Sequence, residues 1–308
     1  MAVSYPNLSV WVIDNASTDD SEAWLETNFP RVQWVQNGQN YGYADGYNLG
    51  LKHITADYYL LLNNDVEVNP GFLLPIAEAM LANPMVALAQ PKLRWQRKPD
   101  YFEYAGAAGG LIDRLGYPFC RGRFFDHLEK DEGQYNLNSE VFWASGACLA
   151  VKASIFWQLG GFYGYFFMHS EEIDLAWRVQ TAGYKVLAIG NSSVMHLGAS
   201  SLGKTNPLKT YYNFRNNLVM CLRNAPVGRL LFLLPARLLL DTAAALFFCL
   251  KGQWADALAV GRAWVGAMQW WLTPTDNLKW PGRRGMAKLK GYANRFIVVD
   301  YYLKKMKR

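Results

Sequence analysis

The chain is poor in the residues that define several common protein classes. Its 308 residues include only four cysteines, Cys120, Cys148, Cys221 and Cys249, which are far apart and form no CxxC pair. That argues against a disulfide framework or a thiolate metal site, and for a reducing compartment. The four histidines show no zinc spacing. Met1 is not followed by a basic-then-apolar segment, so no secretory signal is expected, and the sequon Asn15-Ala16-Ser17 is read as chance. Internal repeats and low-complexity tracts are missing. An uninterrupted apolar span is missing too: Leu230 to Leu250 is largely apolar but contains Pro235, Arg237 and Asp241. Each charge would cost about 2.5–3.5 kcal/mol at a bilayer centre. A helix lying in the membrane interface is therefore expected rather than one that crosses, with a packed core helix as the ordinary alternative. Trp254 to Leu272 reads as a second such helix.

What is present is apolar and unevenly charged. Apolar residues make up 51% of the chain, enough for a sizeable core, in one large domain or two smaller ones. Trp and Tyr are plentiful, which suits sugar stacking or a membrane interface as well as core filling. The formal charge of +6 conceals a contrast: Lys279 to Arg308 carries ten Lys or Arg against the single acid Asp300, so the remainder is mildly acidic. A basic tail after apolar helices points to an anionic membrane surface rather than nucleic acid, or to a solvated terminus.

The stretch Tyr58-Tyr59-Leu60-Leu61-Leu62-Asn63-Asn64-Asp65 is an apolar run that stops at two amides and a carboxylate. It reads as a strand buried on both faces with Asp65 at its carboxyl end, where open α/β sheets bind ligands. A carboxylate there can hold a divalent metal, and the metal a phosphate; a turn-forming strand end is the plainer explanation. Leu8 to Ile13 is a second strand ending in the polar run Asp14 to Ser21, followed by a short helix and a third strand at Val32 to Val35. The alternation of strand, helix and strand predicts a mostly parallel sheet flanked by helices. Further helices are expected from Asn69-Pro70 to Ala82, from Glu171 to Gly183 and from Pro207. Further strands are expected at Val86 to Ala89, Val141 to Val151 and Lys185 to Ile189, and Trp95 to Asn138 reads as a long irregular insertion. Asp174 and Arg178 are spaced to pair on one helix face, and Glu171 and Glu172 sit where acids complement the helix dipole.

Taken in order, these polar clusters resemble one family. Asp14-Asn15-Ala16-Ser17-Thr18-Asp19, Asn40-Tyr41-Gly42-Tyr43-Ala44, Gly46-Tyr47-Asn48, Asn63-Asn64-Asp65, Ser145-Gly146-Ala147, Glu171-Glu172-Ile173-Asp174-Leu175 and His196-Leu197-Gly198 are similar in kind and sequence to the family-two glycosyltransferases of the A-type fold. The resemblance is greatest to the bacterial branch that builds rhamnose-containing and other cell-surface polysaccharides, and covers about residues 8 to 224. It implies a nucleotide-sugar-binding α/β domain over residues 1–225 and an apolar helical extension over 226–308. It implies that Asp14 and Asn15 contact the nucleotide and that Asn40, Gly42, Tyr43 and Asn48 border the nucleotide sugar. Asn64, Ser145, Gly146, Glu171, Asp174 and Arg215 would complete the substrate contacts. Asp65 matches the metal position of a DxD-like motif, His196 a position that can complete the site for Mg²⁺ or Mn²⁺, and Glu172 the catalytic base. The implied reaction is inverting transfer from a UDP- or dTDP-sugar to a lipid-linked saccharide at the inner face of the cell membrane. The family's first strand has no counterpart in Met1 to Asn7, so an N-terminally short chain is expected. Two other readings stay open: a sugar nucleotidyltransferase, whose Gly-rich basic phosphate loop is not visible, and a non-catalytic membrane-associated protein on a decayed transferase fold.

Overall fold

The computed structural model describes residues 5–103, 106–198, 206–273 and 282–306. The elements run in chain order β1 (Trp11–Asp14), α1 (Ser21–Asn28), β2 (Gln33–Gln36), α2 (Gly42–Gly50), β3 (Tyr58–Leu62), β4 (Val66–Val68), α3 (Leu73–Ala82), β5 (Val86–Trp95) and β6 (Lys98–Phe102). Short strands follow: β7 (Gly110–Ile112), β8 (Pro118–Cys120), β9 (Arg123–Phe124), β10 (His127–Leu128) and β11 (Ser139–Glu140). The remainder is β12 (Cys148–Lys152), α4 (Ala153–Gln158), α5 (Glu171–Thr181), β13 (Lys185–His196), α6 (Pro207–Asn224), α7 (Val227–Leu250), α8 (Trp254–Leu272) and α9 (Ile297–Tyr302).

The α/β class and the helical flanks are as expected, but the sheet is not mostly parallel. In the central sheet, ordered β11-β13-β5-β12-β3 with β4 beside β13 and β6 beside β5, only β13 and β5 run parallel. β1 and β2 form a separate parallel pair. Local patterning shows that a strand is buried; it does not encode which neighbour it meets or in which direction. The insertion read as irregular is a set of tight antiparallel turns, with β7 to β10 forming a small sheet of their own.

The sheet separates two apolar layers. Along β3, Tyr59 and Leu61 enter the core shared with α2, α4, α5 and α6, while Tyr58, Leu60 and Leu62 face α3 through Ile76 and Met80. This is the two-residue alternation of a strand. The first core does not stop at residue 225: Leu230, Leu233, Ala267, Trp270, Met286 and Leu289 belong to it as well. The C-terminal segment is thus packed onto the α/β layer rather than separated from it. Part of the basic tail is built in too: Gln180 exchanges hydrogen bonds with the Lys290 backbone, and the Ile297 amide donates to Asp113.

Candidate active site

Asp65 leaves the carboxyl end of β3 as the sequence predicts, and a pairing far away in the chain gives it a partner. β4 pairs antiparallel with the end of β13, placing Val66 opposite His196, and the Leu197 amide donates to the Asp65 carbonyl at 3.0 Å. His196 Nε2 then lies 3.2 Å from Asp65 Oδ1. On the other ring nitrogen, Nδ1 lies 3.1 Å from Glu103 Oε2. Burial alone would lower the His196 pKa, but hydrogen bonds to Asp65 and Glu103 outweigh it and raise it to about 9 in the protein alone.

Asp65 and His196 also suit a divalent cation. The two atoms face each other across a short gap, and the Asp65 side chain is the more open of the two carboxylates, 16% exposed against 8% for Glu103. Glu103 addresses the far side of the ring and cannot share the ion. Among the described residues no cluster of three ligating side chains forms. Two protein ligands with the remaining positions left to phosphate oxygens and water is how Mg²⁺ commonly binds.

Glu172 opens α5 in a setting suited to a base. Its Oε2 is sealed from solvent without a hydrogen-bond partner, as is Oε2 of Glu171 beside it. Burial raises its pKa to about 7, the helix-terminal amides opposing. The neighbouring Glu171 is pushed well above the ordinary carboxylate range, by burial first and then by Glu172 and Asp174. Tyr43 and Cys120 tie this end of α5 to the rest of the site. Tyr43, whose hydroxyl donates to the Gly146 carbonyl at 2.7 Å, feels both glutamates. Cys120, raised to about 12 mainly by burial, lies within electrostatic reach of both Glu103 and Glu172.

The loop before α5 is strained. Phe167, His169 and Ser170 all have positive φ, at 62°, 68° and 74°, a conformation that L-residues other than Gly adopt only where surroundings enforce it. α6 enforces it: the Asn216 amide donates to the carbonyls of Phe166, Met168 and His169 at 2.9, 2.7 and 2.8 Å. From the other side, the Tyr43 and Ala44 amides at the start of α2 bind the Phe167 carbonyl at 2.6 and 3.2 Å. His169 is left with a sealed, unpartnered Nε2, and burial with nearby Lys209 lowers its pKa to about 4, so its imidazole is neutral.

Other expected contact residues serve the framework. Asp174, expected to contact substrate, is fully buried against Arg178 at 2.8 Å and Asn224 at 2.8 Å; Arg178 also binds the Leu159 and Gly161 carbonyls. Removing one partner of such a pair costs roughly 3–5 kcal/mol, so Asp174 supports the fold at the start of α5. Arg215 likewise binds the Tyr165 and Phe166 carbonyls and stacks on Tyr165 at 4.4 Å. Asn48 is bonded through both amide atoms to Phe162. Asn15 donates to the Gly42 carbonyl and accepts from Asn37, and Asn40 accepts from the Gly42 amide. Asp14 accepts from the Ser17 amide and hydroxyl, fixing the turn after β1. Ser145 is buried, its amide held by Gln90, whose side chain also reaches the Gly106 and Ala107 carbonyls. Asn64 is exposed at the mouth of the site.

Glu103, Asn216 and Gln90 carry the local geometry, and of these sequence reasoning passed over Glu103 and Gln90. Glu103 lies in the segment taken as irregular, 93 residues from His196, and no spacing rule links them.

A mixed sheet between helical layers, with a carboxylate–imidazole pair at the strand ends and a buried acid at a helix start, has the architecture of the A-type glycosyltransferase fold. A solved structure titled GalNAc-T7 with UDP, GalNAc and Mn2+ shares it, with a TM-score of 0.54 at 13% identity, over 71% of this chain and 42% of that one. Residues 2–160 match the family model described as Glycosyl transferase family 2, and the chain belongs to that family. An N-acetylglucosaminyl-diphospho-decaprenol L-rhamnosyltransferase of Mycobacterium tuberculosis is 28% identical over 215 residues, 64% of this chain and 69% of that protein. The O-antigen biosynthesis protein RfbC of Myxococcus xanthus is 24% identical over 208 residues, 64% of this chain and 15% of that protein. Family and polysaccharide-building branch are those expected from the motifs.

Proposed function

We propose that this chain transfers a sugar, with inversion, from a UDP- or dTDP-sugar to a hydroxyl of a lipid-linked saccharide in cell-surface polysaccharide synthesis. The observation that carries this reading is the sealed, unpartnered Oε2 of Glu172 beside that of Glu171 at the start of α5, together with the Asp65–His196 contact at the ends of β3 and β13. Glu172 takes the proton of the acceptor hydroxyl as that oxygen attacks the anomeric carbon. In-line attack by an acceptor so activated inverts the centre and forms no covalent sugar–enzyme intermediate. Asp65 and His196 hold Mg²⁺ or Mn²⁺, which when bound neutralises the departing diphosphate. The exposed Asn64 and the Gly146 backbone border the sugar. The decaprenol-linked acceptor in the name of the mycobacterial relative supports a lipid-linked one here.

The outward face of α7 supports a peripheral position on the inner membrane surface. α7 is long and apolar enough to cross a bilayer by length and composition, but its charged residues turn inward. Arg237 is bonded to Asn217 and to the Leu115 carbonyl, and Asp241 accepts from Tyr117 and Trp264. A helix that gives one face to the protein in this way lies along a bilayer rather than through it.

Turnover of purified enzyme, followed as release of nucleoside diphosphate, tests the reading. Glu172→Gln is expected to lower kcat roughly 100-fold or more with donor affinity retained, and Asp65→Ala to lower the turnover that added metal supports; an Asp65→Ala enzyme indifferent to chelator would remove the metal role. Wild-type turnover by the Gln variant would remove the proposed base; pyrophosphate as product would show a nucleotidyltransferase instead.

A further inference from the structure

His196 stands between two carboxylates that are not equivalent. Asp65 lies on the Nε2 side and is the more open; Glu103 lies on the Nδ1 side, 8% exposed, at 3.1 Å. The position of Glu103 is set by backbone. Its amide donates to the Leu93 carbonyl at 3.0 Å as the chain returns along β5. β5 in turn carries Trp95 opposite His196 in the parallel β5–β13 ladder. Gly198, with φ of +65°, crosses directly over the carboxylate, so that a Cβ there would come within 2.5 Å of Glu103 Oε1. Three separate pieces of backbone thus converge to hold one acid against one ring nitrogen.

We propose that Glu103 is the positioning residue of the metal site. It accepts the Nδ1–H of His196, so that the Nε2 proton is the one a metal would displace, leaving the Nδ1–H tautomer with its Nε2 lone pair on the Asp65 side. A ligating imidazole whose other nitrogen donates to a carboxylate is both oriented and made a better donor, and loss of such a partner typically weakens metal binding 10–100-fold. An anionic acceptor also offsets part of the charge of a divalent ion in a site with one carboxylate ligand. This assignment rests on the metal role given above to Asp65 and His196.

The test uses the full chain and Mn²⁺ itself, with saturating UDP or dTDP, following the loss of the free-ion EPR signal on binding. Glu103→Gln keeps an acceptor oxygen at lower charge and is expected to weaken Mn²⁺ about tenfold; Glu103→Ala removes the acceptor and is expected to weaken it about 100-fold. Nucleotide affinity without metal is expected to stay close to wild type, and the Gln variant to remain folded at a lower metal-free melting temperature, because the Glu103–His196 pair that raises the His196 pKa is weakened. With ¹⁵N-labelled histidine and diamagnetic Mg²⁺, His196 is expected to be the Nδ1–H tautomer in wild type and to lose that preference in the Ala variant. Wild type that binds Mn²⁺ while the folded Gln variant binds it equally well with an unchanged tautomer overturns the role of Glu103 alone. Wild type that binds no Mn²⁺ with either nucleotide overturns the metal reading, and this inference with it.

Discussion

At the scale of single residues, Glu171 and Glu172 show how two adjacent and chemically identical side chains are separated by their settings. Both open the same helix, where amide dipoles favour negative charge. Burial wins over the dipole in each: Glu171 is pushed well above the ordinary range, with Glu172 adding to the rise, while Glu172, with the helix-terminal amides opposing, reaches about 7. A base must be deprotonated to act, so kcat/KM is expected to rise with pH through about 7, with a slope near one on the acid side. A profile flat from pH 5.5 to 8 under metal-buffered conditions would count against Glu172. The stability consequence has the opposite sense from that of an ordinary ion-paired acid. The folded protein holds a proton that the unfolded chain releases near the ordinary glutamate value of 4.5, so this group's contribution falls as pH rises from about 4.5 to about 7. Glu172→Gln should remove that slope in urea midpoints measured across the same range.

At the scale of elements, the strained turn before α5 is locked between α2 and α6. Gly42, with φ of +70°, lets the start of α2 close on the Phe167 carbonyl; a Cβ there would lie 2.3 Å from that oxygen. Gly42→Ala therefore meets both left-handed backbone, at roughly 1–2 kcal/mol, and a backbone atom that cannot move without disturbing Tyr43 and Ala44. A loss of about 2 kcal/mol or more in denaturant midpoint, with kcat reduced further than KM is raised, is the expected outcome, since the displaced turn carries Glu172. Wild-type kcat in a destabilised variant would show that the turn does not position the base. Helices such as α6 and α8 were legible because periodicity and capping are local; Asn206 caps α6 before Pro207 as the sequence rules require. Asp65 and Glu172 were legible because they interrupt those patterns at strand and helix ends. The antiparallel pairing of β12, the length of β5 and the roles of Asn216 and Glu103 were not, because each depends on a partner remote in sequence. For Asp174 and Arg215 the sequence marks residues that are needed, and the structure adds the framework bonds they make, to Arg178 and Asn224 and to the Tyr165 and Phe166 carbonyls.

At the scale of the whole molecule, α7 is inverted relative to a helix on a water-soluble surface. Its outward positions include Leu231, Phe232, Leu238, Leu239, Leu246, Phe247 and Leu250, while Arg237 and Asp241 are buried at 1% exposure each. α8 adds exposed Trp254, Leu258, Val265 and Trp271. Basic groups border this surface at one end: Lys251 lies over Phe247, and Tyr302 of α9 packs on the same ring at 6.4 Å, bringing Lys304 and Lys305 alongside. Apolar side chains flanked by lysines match an anionic bilayer, and burying each leucine contributes about 1.5–3 kcal/mol at most. Leu239→Glu combined with Leu246→Glu is therefore expected to reduce co-sedimentation with phosphatidylglycerol vesicles at least tenfold. Binding should also weaken with salt, as surface attraction is screened over about 10 Å at 0.1 M. Turnover of a short-chain, water-soluble acceptor should be unchanged, because neither leucine approaches Asp65 or Glu172, whereas turnover of a lipid-linked acceptor embedded in vesicles should fall with the binding. Equal sedimentation of the double variant, or a stable dimer abolished by the same substitutions, would assign this face to something other than lipid.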